Sequence, residues 1–86
     1  MDLRQLRYFV RVIEHGSMGR AAMELGVVTS TLSQQISRLE SELSTRLLQR
    51  TANGVRPTDA GLAFWRQAQL ALRHVDDAAH AAQHAR

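Results

Sequence analysis

Apolar residues recur along most of the 86-residue chain at the three-and-four spacing of amphipathic helices, with breaks at Gly16, Gly26 and Gly54. Leu3, Leu6, Phe9, Val10 and Ile13 make one stripe, with Val12 and Tyr8 at its flanks and Arg4, Arg7 and Arg11 opposite, which predicts a first helix over about Asp2–His15. Gly16 is a natural stop and Ser17 a natural cap for a second helix. Ala21, Ala22 and Leu25 face inward from this short helix, about Met18–Leu25, whose small residues permit close crossing. Gly26 ends it, and Val27 plugs the core under the turn. Leu32, Ile36, Leu39 and Leu43 then predict a third, longer helix.

Two strands of about three residues each are predicted next, in LLQRT and VRPT around Ala52-Asn53-Gly54. Asn-Gly between two short runs signals a hairpin because both residues tolerate positive φ, and Pro57 closes the second strand. Thr58 caps a last helix, with Asp59 favourably placed against its N-terminal dipole. From Gly61 its inward positions run Trp65, Ala68, Leu72, Val75, Ala79 and Ala82, an a/d seam. A helix over residues 59–86 measures ~42 Å at ~1.5 Å per residue, too long for the whole stripe to fold onto residues 1–58. The excess edge predicts dimerisation along this helix, with Trp65 and Leu62 also able to dock on the front of the chain. The expected fold is therefore mainly α: three helices and a hairpin wing over residues 1–58, then a long dimerisation helix over residues 59–86.

The stretch Ser17–Leu43, a short helix, a break and a longer helix, has the form of a helix-turn-helix, whose second helix enters the DNA major groove. The outward side of the third helix supports that reading. It carries Thr29, Ser30, Ser33, Gln34 and Ser37, followed by Arg38. A merely solvated face usually mixes charges, whereas hydroxyls and amides both donate to and accept from base edges without bringing net charge. Arg38 suits a phosphate, and Glu40 and Glu42 come only at the far end. A hairpin directly after such a helix makes a wing that reaches an adjacent minor groove or phosphate, flanked here by Arg50 and Arg56. Arg50 has a competing structural role, pairing with Glu40. Arg4 and Arg20 are further candidates for backbone contact.

Composition adjusts this picture slightly. The net charge is +3, and residues 1–58 carry eight Arg against five Asp and Glu, while residues 59–86 carry three of each. All eleven basic residues are Arg, which suits bidentate phosphate and guanine contacts, although an Arg- and Ala-rich chain equally reflects a GC-rich genome. There is no cysteine, hence no disulfide or thiolate metal site. The start MDLRQLRYFV is no signal peptide, and no apolar run spans a bilayer, so a soluble, cytoplasmic protein without membrane contact is expected. No nucleophile–base pair, paired carboxylates or phosphate-cradling glycine loop can be assembled, so no enzyme and no cofactor is expected. Asp77, His80 and His84 share a helix face at spacings that can bind zinc or nickel. A solvated face and a fraying helix end argue against a metal there.

Leu3-x-x-Leu6-x-x-Phe9, Gly16-Ser17, Ala21-Ala22-x-x-Leu25, Leu32-Ser33-Gln34-Gln35-Ile36, Leu39-Glu40-x-x-Leu43, Arg50, Val55 and Thr58-x-Ala60-Gly61 resemble the N-terminus of LysR-type transcriptional regulators over essentially the whole chain. LLQRT followed by GVRPT, and the Gln34-Gln35 pair, look most similar to the nitrogen-assimilation-control-like branch. The resemblance implies a winged helix-turn-helix and a linker helix that pairs with a second copy. It also implies a C-terminal effector-binding domain of periplasmic-binding-protein type, which these residues do not include. It further implies binding to interrupted palindromes in double-stranded DNA, tetramers in the full-length regulator, and contact with RNA polymerase. By motif position the base readers would be Thr29, Ser30, Thr31, Ser33 and Gln34, with backbone or wing contacts near Asn53. The rival reading is a stand-alone dimerising module that antagonises a full-length regulator. Departures from the family pattern are Val28 in place of a capping Ser or Thr, Thr29 and Ser30 in place of Gln and Pro or Ser, and Ser44 in place of Gly. Leu48 stands in place of Phe, and Asn53 in place of a basic residue. Thr29 could take over the missing cap by starting the helix one residue later.

Overall fold

A computed structural model describes residues 1–85 as α1 (Leu3–His15), α2 (Met18–Leu25), α3 (Thr29–Leu43), β1 (Leu48–Thr51), β2 (Gly54–Pro57) and α4 (Asp59–His84). Residue 86, included in the expected last helix, lies outside the described residues.

Local chemistry accounts for most of the boundaries. Asp2 and Gln5 form a capping box at the start of α1, the Asp2 carboxylate accepting from the Gln5 N–H at 2.8 Å and Gln5 Oε1 from the Asp2 N–H at 3.2 Å. Ser17 Oγ accepts from the Arg20 N–H at the start of α2. Gly16 and Gly26 close α1 and α2 in the left-handed region. Both ends of α3 lack the residue types that suit them best. Val28 is the N-cap and offers no side-chain bond, and Ser44 takes φ 50° where glycine is the natural residue. Thr29 does not take over the cap. Only Val27 and Val28 separate Gly26 from α3, so Thr29 is already its first helical residue.

The core lies on two sides of α1. On one side Phe9 and Val12 pack with Ala21, Leu32, Ile36, Leu39, Leu47 and Val55; on the other, Leu6 and Val10 pack with α4. Because α1 is covered twice, its buried band is wider than the stripe read from the sequence. Val12, expected at the flank, is fully buried, whereas Leu3, expected in the stripe, is 40% exposed. Gln5 is buried among these residues and donates from Nε2 to Gln35 Oε1 at 3.3 Å, tying α1 to α3.

The hairpin strands are four residues long rather than three, in register Leu48↔Pro57, Gln49↔Arg56, Arg50↔Val55 and Thr51↔Gly54. Positive φ at both Asn53 and Gly54 is not found: only Gly54 has it, at 134°. The glycine is required for approach. A Cβ there would stand 2.3 Å from the Gly16 carbonyl oxygen, which accepts from the Val55 N–H.

Thr58 anchors α4. Its N–H donates to the Leu47 carbonyl at 3.0 Å, its hydroxyl donates to the Arg46 carbonyl at 2.7 Å, and the same oxygen accepts from the Gly61 N–H at 2.9 Å. Gly61 packs so closely that a Cβ would lie 1.9 Å from the Leu47 oxygen. Phe64, Trp65, Ala68, Ala71 and Leu72 then cover Leu6 and Val10, and the Phe64 ring meets Phe9 edge-on at 5.4 Å. One member of the expected dimerisation seam, Ala68, is already buried within its own chain. Trp65 is half-buried there, with an indole N–H that has no partner among the described residues. The stripe on α4 meets α1 through Trp65, Ala68 and Leu72; Trp65, Leu72 and Val75 are half-buried, and Ala79 and Ala82 are exposed. Among the described residues, no helix is long and apolar enough to cross a membrane.

Candidate nucleic-acid interface

α3 divides into two unlike faces. Leu32, Ile36 and Leu39 are buried. At about 100° per residue, Ser30 and Gln34 point away from them and Ser37 stands to one side of that line, and all three are exposed. Ser30, Ser33, Gln34, Ser37 and Arg38 line one shallow open depression. Thr29 and Thr31 are exposed in the first turn; at the same rotation Thr31 stands beside that line, whereas Thr29 lies toward the buried side. Four of the five sequence-derived readers are therefore exposed at one end of α3, with Ser30 and Gln34 central. Ser33 is half-buried at the edge nearest the wing.

Ser33 is also engaged. Arg50 Nη2 donates to its Oγ at 2.8 Å. The alternative pairing of Arg50 with Glu40 is not formed. Glu40 turns its carboxylate to the backbone instead, Oε2 accepting from the Leu47 N–H at 2.7 Å and the Leu48 N–H at 3.2 Å, with Arg46 Nε at 4.0 Å. Strand geometry explains the difference. Two successive amides at the start of β1 reach one carboxylate, while Arg50 lies farther along the strand and opposite Ser33.

Arg4, Arg20, Arg38, Arg50 and Arg56 are all exposed. None of the five forms an ion pair among the described residues, in contrast to Arg11, which joins Glu14 and Glu24. Arg56 and Gln49 share the outer face of the hairpin, and exposed Asn53 sits at its tip. Thr51 braces the tip, its hydroxyl donating to the Gly54 carbonyl and accepting from the Asn53 N–H. At the opposite edge His15 bonds Glu24, and this hydrogen bond, more than the nearby charges, holds the Glu24 carboxyl below its ordinary range.

Two braces went unassigned in the sequence: Gln5 and the backbone-binding role of Glu40. Asp2-x-x-Gln5 is a legible capping box, whereas nothing near Glu40 in sequence announces the amides it meets. On α4, His80 and His84 stack edge to face with ring centroids 4.2 Å apart, but no group of three ligand-type side chains that could hold a metal gathers among the described residues.

Residues 3–62 match the family described as "Bacterial regulatory helix-turn-helix protein, lysR family". The chain is 44% identical over 78 residues to the nitrogen assimilation regulatory protein nac of Escherichia coli (strain K12), covering 91% of this chain and 26% of that protein. It is 52% identical over 65 residues to the transcriptional regulator BudR of Raoultella terrigena, covering 76% of this chain and 22% of that protein. The chain thus spans about a quarter of the length of these curated relatives. Among solved structures, it superposes on the DNA-binding domain of BenM in complex with catB site 1 DNA at TM-score 0.94 and 40% identity, covering 96% of this chain and 93% of that one. It matches the CbnR DNA-binding domain in complex with DNA at TM-score 0.92 and 35% identity, covering 96% and 95%.

Proposed function

The chain belongs to the LysR family of bacterial regulatory helix-turn-helix proteins, and from that premise we propose that it binds double-stranded DNA sequence-specifically as the DNA-binding part of a dimeric transcriptional regulator. The observation that carries this reading is the two-faced α3: a buried apolar side, and an open side of hydroxyls and amides that ends in Arg38. A helix of that kind enters the major groove with its N-terminal turns at the base edges. Ser30 and Gln34 are the central readers, with Thr29, Thr31 and Ser33 beside them. Ser37, Arg38, Arg4, Arg20, Arg50 and Arg56 serve the phosphates, and Asn53 the wing tip.

Residues 1–58 form the DNA-binding unit and residues 59–86 the linker helix. Trp65, Leu72, Val75, Ala79 and Ala82 form the pairing face of a homodimer that reads an interrupted palindrome. The whole regulator, as proposed, adds an effector-binding domain, assembles as a tetramer, engages RNA polymerase and works in the cytoplasm without catalysis of its own. Solved complexes of similar domains with DNA support the DNA-binding reading.

Selection of bound sequences from random duplex DNA at physiological salt tests the proposal. Enrichment of an interrupted palindrome is the expected result. Dimerisation without any enriched sequence would replace it with an interaction module.

A further inference from the structure

We propose that Arg50 is a positioning residue for base recognition. By donating to Ser33 Oγ it sets that hydroxyl as a donor toward the groove, and the domain thereby selects against cytosine at one base position of each half-site. The inference rests on the DNA-reading role proposed for α3 and deepens it.

The register of the hairpin places Arg50 for this task. Successive strand residues face opposite sides, so Arg50 shares a face with Leu48 and with its cross-strand partner Val55, both buried. Arg56, paired with Gln49, faces the other way. Arg50 is thus directed from the core side of the wing across to α3, where Nη2 meets Ser33 Oγ at 2.8 Å. Behind this bond lies a cleft of about 100 Å³ lined in part by Met18, Ile36, Glu40 and Leu48. No carboxylate among the described residues pairs with the guanidinium. In front, Ser33 borders the same open depression as Ser30 and Gln34.

The selectivity comes from the hydroxyl's limited set of donors and acceptors. A serine oxygen has one hydrogen and two lone pairs, and when free it rotates to suit either a donor or an acceptor. Here a cationic N–H occupies one lone pair. It polarises the O–H into a stronger donor and weakens the remaining lone pair as an acceptor. The hydrogen points away from Arg50. In the major groove guanine offers N7 and O6, adenine N7 and thymine O4 as acceptors, while cytosine offers only its amino donor. Cytosine at that position sets donor against donor and leaves both without a partner, which disfavours it about tenfold.

The test compares sequences selected from random duplex DNA by the wild type, Arg50→Ala, Ser33→Ala, the double variant and Ser33→Thr, with thermal melting of each to confirm folding. In the wild type cytosine is expected to be depleted about tenfold at one position per half-site. Arg50→Ala and Ser33→Ala should each remove that depletion and leave the other positions as they were. The double variant should be no flatter than Ser33→Ala, and Ser33→Thr should keep the depletion. A phosphate contact alone would have a different signature: Arg50→Ala would weaken all sequences evenly and lower the salt slope by about one. That result with cytosine depletion intact, or even relaxation of every position, overturns the inference. Failure of the wild type to enrich any sequence would overturn the DNA-reading role itself. A clear operator without a Ser33-dependent position would overturn this inference alone.

Discussion

Replacing Glu40 tests how the wing is held to the reading helix. Its carboxylate accepts from two consecutive backbone N–H groups at the start of β1, and Leu47 and Leu48 are both buried. Hydrogen bonds to a charged group are worth about 1.5–3 kcal/mol against about 1 for neutral ones, and a buried donor left without a partner costs about 1–3 kcal/mol. Glu40→Gln keeps an oxygen at the site and loses only the charge, so the expected cost is about 1–2 kcal/mol. Glu40→Ala strands both donors, and with partial hydration the expected cost is about 2–4 kcal/mol. The neighbouring Arg46 adds little, because it is 4.0 Å away and mostly exposed.

A chain of this size has a stability of roughly 4–13 kcal/mol, of which Glu40→Gln should keep at least about 2 kcal/mol and so remain folded at room temperature. Urea unfolding at one fixed protein concentration, with the slope unchanged, should rank wild type above Glu40→Gln above Glu40→Ala. Amide exchange supplies the local check: the Leu47 and Leu48 amides should lose protection in Glu40→Ala and largely keep it in Glu40→Gln. Equal stability of all three proteins, to within about 0.5 kcal/mol, would refute the reasoning. So would a Gln variant as damaged as the Ala variant.

Ser44→Gly should stabilise the domain by about 1 kcal/mol in the same assay, because Ser44 sits at φ 50° with its N–H closing α3; no gain would mean the left-handed turn is not held in solution. Val28→Ser should add about 1 kcal/mol by giving α3 the side-chain cap it lacks, at little cost in burial since Val28 is 65% exposed. Gly61→Ala should destabilise by about 3 kcal/mol or more, since its Cβ would stand 1.9 Å from a backbone oxygen that cannot swing away; a Tm within a few degrees of wild type would disprove the close contact. Glu24 titrates below its ordinary value of 4.5, chiefly through the His15 hydrogen bond. Its folded form is thus favoured above that pH, and the contribution is lost as pH falls through the lowered value. The Tm difference between wild type and Glu24→Gln should therefore shrink toward zero on acidification, and a pH-independent difference would contradict this.

How legible these features were in the sequence depended on the range of the interaction. The helices and hairpin were legible because period, cap and stop residues act within a few positions: Ser17, Gly16, Gly26 and Thr58 all perform locally what their types suggest. The uncharged face of α3 was legible for the same reason. Ala68 was not, since an apolar stripe carries no label for what covers it, and α1 of the same chain is as apolar as a partner's helix. Arg50 was open between Glu40 and a DNA contact, and within the chain it meets Ser33 rather than Glu40. That partner within the chain emerges from strand alternation once Leu48 is known to face inward, and that phase comes from the register with Val55. Gly54 and Gly61 read as turn and helix-start residues, yet each is required by a carbonyl far away in sequence, that of Gly16 and that of Leu47.

Leu47 joins the two halves of the proposed machinery. It is 1% exposed and carries no chemistry of its own, but its N–H is held by Glu40 of α3 and its carbonyl by Thr58 at the start of α4. Gly61 presses against the same carbonyl. The path from reading helix to pairing helix therefore runs through one buried residue, with a second tie across α1, where Gln5 meets Gln35 and Phe9 meets Phe64. In the proposed dimer these ties set how far apart the two reading helices stand, while the side chains on the open face of α3 set which bases they prefer. On that proposal spacing and base preference are governed by different residues. If the proposed reading holds, substitutions at Glu40 or Gly61 should change stability and the preferred separation of half-sites, and those at Arg50, Ser33 and Gln34 the preferred bases within each half-site.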